Sequence, residues 1–152
     1  MIYGSIVFPH NEKLDDRGCF IVGEWDEGVL KCQRFVYFHD FEEFVIEYLK
    51  KDLNFKNYRF YYHDDRDYSR FFRNRIAARV DFDPKPYFRR LKKYDLSAVT
   101  ELLRSGNLQY KKDGEIMNAL HLWDIGKAAK DDIILTCLGF LCYGLLRRVE
   151  NE

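Results

Sequence analysis

The chain has 152 residues, 47% of them apolar and 17% aromatic, and it balances 25 Lys or Arg against 25 Asp or Glu. This length and apolar content exclude a disordered polypeptide and give one domain over residues 1–152 with enough material for a genuine core. Zero net charge excludes a protein drawn as a whole to polyanions or to an anionic membrane, although the charge is uneven: ten Lys or Arg face three Asp between Arg66 and Lys93.

In chain order, Ile2–Pro9 is a short apolar run closed by proline and reads as a strand. It lacks the basic start and long apolar segment of a signal peptide, so a reducing cytoplasm is the expected location. His10–Gly18 is polar, with Asp15-Asp16-Arg17-Gly18 as a turn. Cys19–Trp25 reads as a second strand. Asp26-Glu27-Gly28 has the chemistry of a tight hairpin turn, and Val29–Phe38 returns as a third, antiparallel strand. From Asp40 the period changes: Phe41, Phe44, Val45, Tyr48 and Leu49 fall at helical spacing. Tyr58–Tyr62 is a fourth strand ending at His63-Asp64-Asp65. After a meander and a helix it is expected to lie parallel to the first. Asp67–Arg75 reads as a short helix and Ile76–Phe82 as a fifth strand. Pro84 and Pro86 mark a helix start, with a break near Tyr94-Asp95. Ser97–Arg104 is a helix with Ser97 as N-cap and Gly106 as its stop. Leu108–Tyr110 reads as a short strand and Glu115–Trp123 as a helix on which His121 and Trp123 are core or half-buried.

The last stretch, Ile133–Leu146, is apolar almost all the way round, without the polar stripe of a surface helix. A membrane span needs about 20 such residues, and this run stops at Arg147-Arg148. It reads as a helix buried on most faces. Asp131 and Asp132 open it, where the helix dipole favours carboxylates. They serve as N-cap and first-turn charges, or they carry a carboxylate to a sheet edge where it holds a metal ion.

The four cysteines, Cys19, Cys32, Cys137 and Cys142, form no C-x-x-C pair, which argues against a structural zinc site. Cys137 and Cys142 read as small core residues. Arg66, Arg70 and Arg73 interleave with aromatics, as do Arg89 and Arg90 after Tyr87-Phe88. Such segments contact nucleic-acid backbone and bases; an amphipathic face with its aromatics in the core and its arginines in water fits them equally well.

The element order gives an α/β fold: a mixed sheet of about five strands, the first three antiparallel, flanked by helices. That is the order of the RNase H-like nucleases. The run Leu102-Leu103-Arg104-Ser105-Gly106-Asn107-Leu108-Gln109-Tyr110, then a helix, then Lys130-Asp131-Asp132-Ile133-Ile134-Leu135-Thr136 and an apolar helix, resembles the end of the nuclease domain of viral large terminases. The resemblance is closest over Ser97–Leu146. It implies endonucleolytic cleavage of DNA during genome packaging, in a host cytoplasm, with DNA and other packaging proteins as partners and no membrane. It also implies two Mg²⁺ or Mn²⁺ ions about 4 Å apart, clamping the attacking and leaving oxygens of the phosphodiester. Such hard cations take oxygen ligands. By this resemblance Asp64 is the fourth-strand carboxylate, with Asp65 or Asp67 as helpers, and Asp132, with Asp131 beside it, is the last-helix carboxylate; the DNA backbone falls to Arg66, Arg70, Arg73, Arg89 and Arg90. The first strand departs from the pattern, since Ile2–Phe8 carries no acid and the nearest are Glu12, Asp15 and Asp16 in the loop. A weakened or inactive relative that binds DNA or a protein is therefore the alternative, and a junction resolvase the third reading. No G-x-x-x-x-G-K-[ST] phosphate loop occurs, so the ATPase motor of a full terminase is absent.

Overall fold

The structure is a computed structural model that describes residues 2–8, 17–39, 59–63, 74, 87–91, 93–129 and 132–147. Six described strands, β1 (Ile2–Val7), β2 (Gly18–Asp26), β3 (Val29–Phe38), β4 (Arg59–His63), β5 (Tyr87–Leu91) and β6 (Leu108–Gln109), form one mixed sheet in the order β5-β4-β1-β2-β3-β6. Three described helices are α1 (Ser97–Arg104), α2 (Glu115–Asp124) and α3 (Ile133–Arg147). The α/β character and the antiparallel β1–β3 meander agree with the sequence, and β4 returns parallel to β1 as expected.

The meander follows from its turn chemistry. Glu27 and Gly28 both have positive φ, at 51° and 81°, the backbone of a two-residue turn whose twist matches the strands it joins. With Asp26 opposite Val29 the register is set. A bulge between Val22 and Gly23 then corrects the facing of β3. Leu30 and Cys32 face the helices on one side of it, Phe35 and Tyr37 on the other, where strict alternation would have sent one pair to the opposite face.

Helix α3 is the element packed most completely: Ile134, Leu135 and every residue from Cys137 to Leu145 are buried. Each fully buried Leu, Ile or Phe contributes roughly 2 kcal/mol, so a helix without a polar side is stable only where it is enclosed. It runs obliquely over the sheet. Ile133 meets β2 through a Cys19 Sγ–H bond to its carbonyl (3.6 Å). Cys137 lies on Ser5 of β1, and Gly144 lies against the Tyr61 ring of β4. The opposite face of the sheet is as deeply buried, with Ile6, Phe8, Phe20, Phe38, Phe60 and Tyr62 at 3% exposure or less.

The structure corrects several expectations. The sheet has six described strands, β6 being added beside β3. The segment after Pro84 and Pro86 is strand β5, parallel to β4, because proline is also tolerated just ahead of an edge strand and Tyr87-Phe88 favour extended backbone. Helix α1 begins after Leu96, and Asp95 holds its start by accepting from the Ser97 backbone N–H (2.9 Å) and hydroxyl. Its end matches the sequence: Gly106 N–H returns to Leu103 and Asn107 N–H to Leu102. His121 is exposed, since the buried stripe of α2 is Ile116, Ala119 and Leu120 and the next position turns about 100° away. The helix expected around Phe41–Leu49 and the strand expected over Ile76–Phe82 lie outside the described residues; of Asp67–Arg75 only residue 74 is described, and it is helical.

Candidate functional site at one edge of the sheet

The register fixes which strand ends share an edge. Val7, the last residue of β1, lies opposite Cys19 of β2, and Cys19 lies opposite Tyr37 near the end of β3. On the other side of β1, Ser5 pairs with Tyr61 in parallel, so two residues on, His63 ends β4 beside Val7. His63 in turn pairs with Leu91, the end of β5. Because Ile133 hangs on Cys19, the start of α3 overlies this edge too. The end of β4, after which Asp64 follows in the chain, and Asp132 thus belong to the same edge, their strand columns two spacings apart, about 10 Å.

Asp132 is the N-cap of α3. Its Oδ1 accepts from the Leu135 N–H at 2.9 Å, and its carbonyl accepts from the Thr136 N–H (3.0 Å) and hydroxyl (2.8 Å). It satisfies a donor the first helical turn leaves open. This uses one carboxylate oxygen. Asp132 is half-buried, so the carboxylate reaches the edge and does not sink under the helix.

The first strand supplies nothing comparable. Its side chains towards α3 are Tyr3, Ser5 and Val7. Ser5 is fully buried: its hydroxyl donates to the Cys137 carbonyl at 2.7 Å and lies 3.1 Å from the Cys137 thiol, which reaches the Ser5 carbonyl at 3.3 Å. The polar position of β1 is spent on locking strand to helix. Among the described residues no three or more His, Cys, Asp or Glu gather into a metal-holding group. Asp64, Asp65, Asp67, Asp131, Glu12, Asp15 and Asp16 lie outside the described residues, as do Arg66, Arg70 and Arg73.

The two described arginines of the predicted DNA-contact set are separated. Arg89 pairs with Tyr61 and Arg90 with Tyr62, so they project from opposite faces of edge strand β5. Arg89 is half-buried on the side of α3 and Arg90 exposed on the other. They do not form one clamp.

Sequence reading missed a second group at this edge. The Arg17 guanidinium lies 3.5 Å from the centre of the Tyr37 ring, and Phe35 meets that ring edge-on, with centroids 4.8 Å apart. Burial pushes the Tyr37 hydroxyl above its usual range; Arg17 opposes the shift, and the Glu115, Cys19 and Asp132 side chains add to it. Tyr37 therefore stays a neutral hydroxyl. The hairpin alone does not reveal it: counting back from Asp26 opposite Val29 places Tyr37 across from Gly18, and only the bulge at Val22/Gly23 shifts it by one residue onto Cys19.

Neither Cys32 nor Cys142 is set up as a nucleophile. Burial pushes the Cys32 thiol up to about 12, with Cys137 adding to it, and burial holds Cys142 well above the usual range. The thiolate is the reactive form, so both thiols are held in their unreactive, protonated form. A cavity of about 580 Å³ between α1 and α2 is lined by Arg104, Tyr110, Met117, His121 and Trp123 among others, and includes none of the predicted metal or DNA-contact residues. No described helix is long and apolar enough to cross a membrane. No protein family, curated protein or solved structure matches the chain.

Proposed function

We propose that this chain is an RNase H-like nuclease domain that cleaves DNA with Mg²⁺ or Mn²⁺, of the type used by viral DNA-packaging terminases. One observation supports the reading: β5-β4-β1-β2-β3, with three antiparallel and then two parallel strands, is the order expected of an RNase H-like sheet, and the acidic cap of the last helix starts over β2, at the edge where β1 and β4 also end. Asp64 and Asp132, with Asp131 adjoining, would supply oxygen ligands. When bound, the ions activate the attacking water and stabilise the leaving oxygen; the protein's task is to hold its carboxylates in place.

The test is nicking of supercoiled plasmid with Mn²⁺ or Mg²⁺. Asp132→Asn preserves the cap, since Asn serves as well as Asp there, but removes the charge. Loss of nicking in this variant with an unchanged fold is the expected result. Full activity in EDTA, or in Asp132→Asn, overturns the assignment.

The second reading is a non-catalytic binding module on the same fold, with a protein or DNA partner. The Ser5 lock favours it, because a hydroxyl bonded to the helix backbone stands in the strand that carries the family's first acid. DNA binding indifferent to metal, together with no nicking, selects it.

A further inference from the structure

We propose that the strip Arg17–Tyr37–Phe35 and the groove that continues it along β3 hold a single-stranded stretch of DNA beside the Asp132 edge. This inference rests on the nuclease reading and names the form of substrate the site receives. The groove has a volume of about 360 Å³ and is lined by Cys32, Phe35, Lys111, Glu115 and Ile116 among others. Phe35 belongs to both the groove and the ring pair with Tyr37, so the two features are continuous. Cations accompany both features: Arg17, exposed over Tyr37, and Arg34 and Lys111 in the groove lining. Half-buried aromatics between basic side chains are the construction that holds a single strand, with rings stacking on bases and cations taking phosphates. A duplex presents its bases edge-on and has no face to offer these rings.

The charges at the strip are uneven. Arg17 stands over the Tyr37 ring, so a phosphate is drawn to that side, whereas Glu115 in the groove lining repels one. The exposed Arg17 guanidinium can exchange its cation–π contact with the ring for a charge-assisted bond to phosphate.

The experiment uses the full chain with fluorescein-labelled 20-nucleotide single-stranded and duplex DNA, followed by anisotropy in EDTA so that nothing is cut. Arg17→Ala should weaken single-strand binding about tenfold and reduce the salt slope by about 0.7, the amount for one lost phosphate contact on a single strand. Tyr37→Leu should weaken single-strand binding about tenfold and leave duplex binding within twofold. A purely structural role for Arg17 would leave the salt slope unchanged. If the wild type binds single strands and both variants bind within twofold of it with the same slope, the strip is not the track, and the nuclease reading stands on its own plasmid test. If the wild type binds no single-stranded DNA, this inference falls, and the nuclease reading is again decided by its plasmid test.

Discussion

When the Asp132 carboxylate accepts the Leu135 N–H, its charge and its shape do separate jobs, and substitutions divide them. Asp132→Ala removes the acceptor and should lower stability by about 1 kcal/mol; Asp132→Asn should stay within a few tenths. Urea unfolding of the three proteins checks this, and equal losses for Ala and Asn would show that charge, not the cap, matters at this position. The buried thiols give a second residue-level outcome. Cys32 titrates near 12 in the folded protein against 9.0 in the open chain. Between those values the folded form keeps a proton the unfolded form has lost, so stability is full below pH 9 and falls as pH rises towards 12. Thermal melts over that range should show the decline, less steep in Cys32→Ala. A variant slope equal to the wild type's would place the alkaline sensitivity elsewhere.

At the scale of elements, α3 depends on how closely it approaches β4. A methyl on Gly144 would lie 2.8 Å from Cγ, Cδ1 and Cε1 of Tyr61, and that ring is backed by Tyr3 in a parallel stack at 6.1 Å. Replacing glycine by alanine inside a helix gains about 1 kcal/mol of propensity, whereas overpacking a rigid core costs about 1–3 kcal/mol. The ring has little room to yield, so Gly144→Ala should destabilise by about 1 kcal/mol net; a raised urea midpoint would show that the stack gives way. The same helix shows what a sequence makes legible. Its apolar surface all round announced its enclosure, and Asp26-Glu27-Gly28 announced the meander, because both signals are local. The β5 strand was hidden because proline precedes strands as well as helices. The Asp95–Ser97 contact at the start of α1 was hidden because Ser97 is by type a good cap candidate itself. The Arg17–Tyr37 contact joins residues 20 apart and becomes visible only after register is assigned, and the Ser5–Cys137 lock joins residues 132 apart.

For the molecule as a whole, one edge gathers the ends of β1, β3, β4 and β5, the beginnings of β2 and α3, and a carboxylate already anchored by a helix turn. Carboxylates brought to one edge repel one another without a cation, so under the proposed function folding and metal binding are coupled. A ligand that binds only the folded state stabilises by about 2.7 kcal/mol at a hundred times its dissociation constant. For a domain of this size that is about 5–10 °C in melting temperature. Titration with MnCl₂ should raise the melting temperature of the wild type by that order, EDTA should return it to the starting value, and Asp132→Asn should respond weakly because one of the ligands is neutral. This measurement needs no DNA and no turnover, so it separates the two readings of the fold. A nuclease responds to Mn²⁺ through Asp132. A binding module that lost its metal along with its first-strand acid melts at the same temperature with Mn²⁺ or without, in wild type and variant alike.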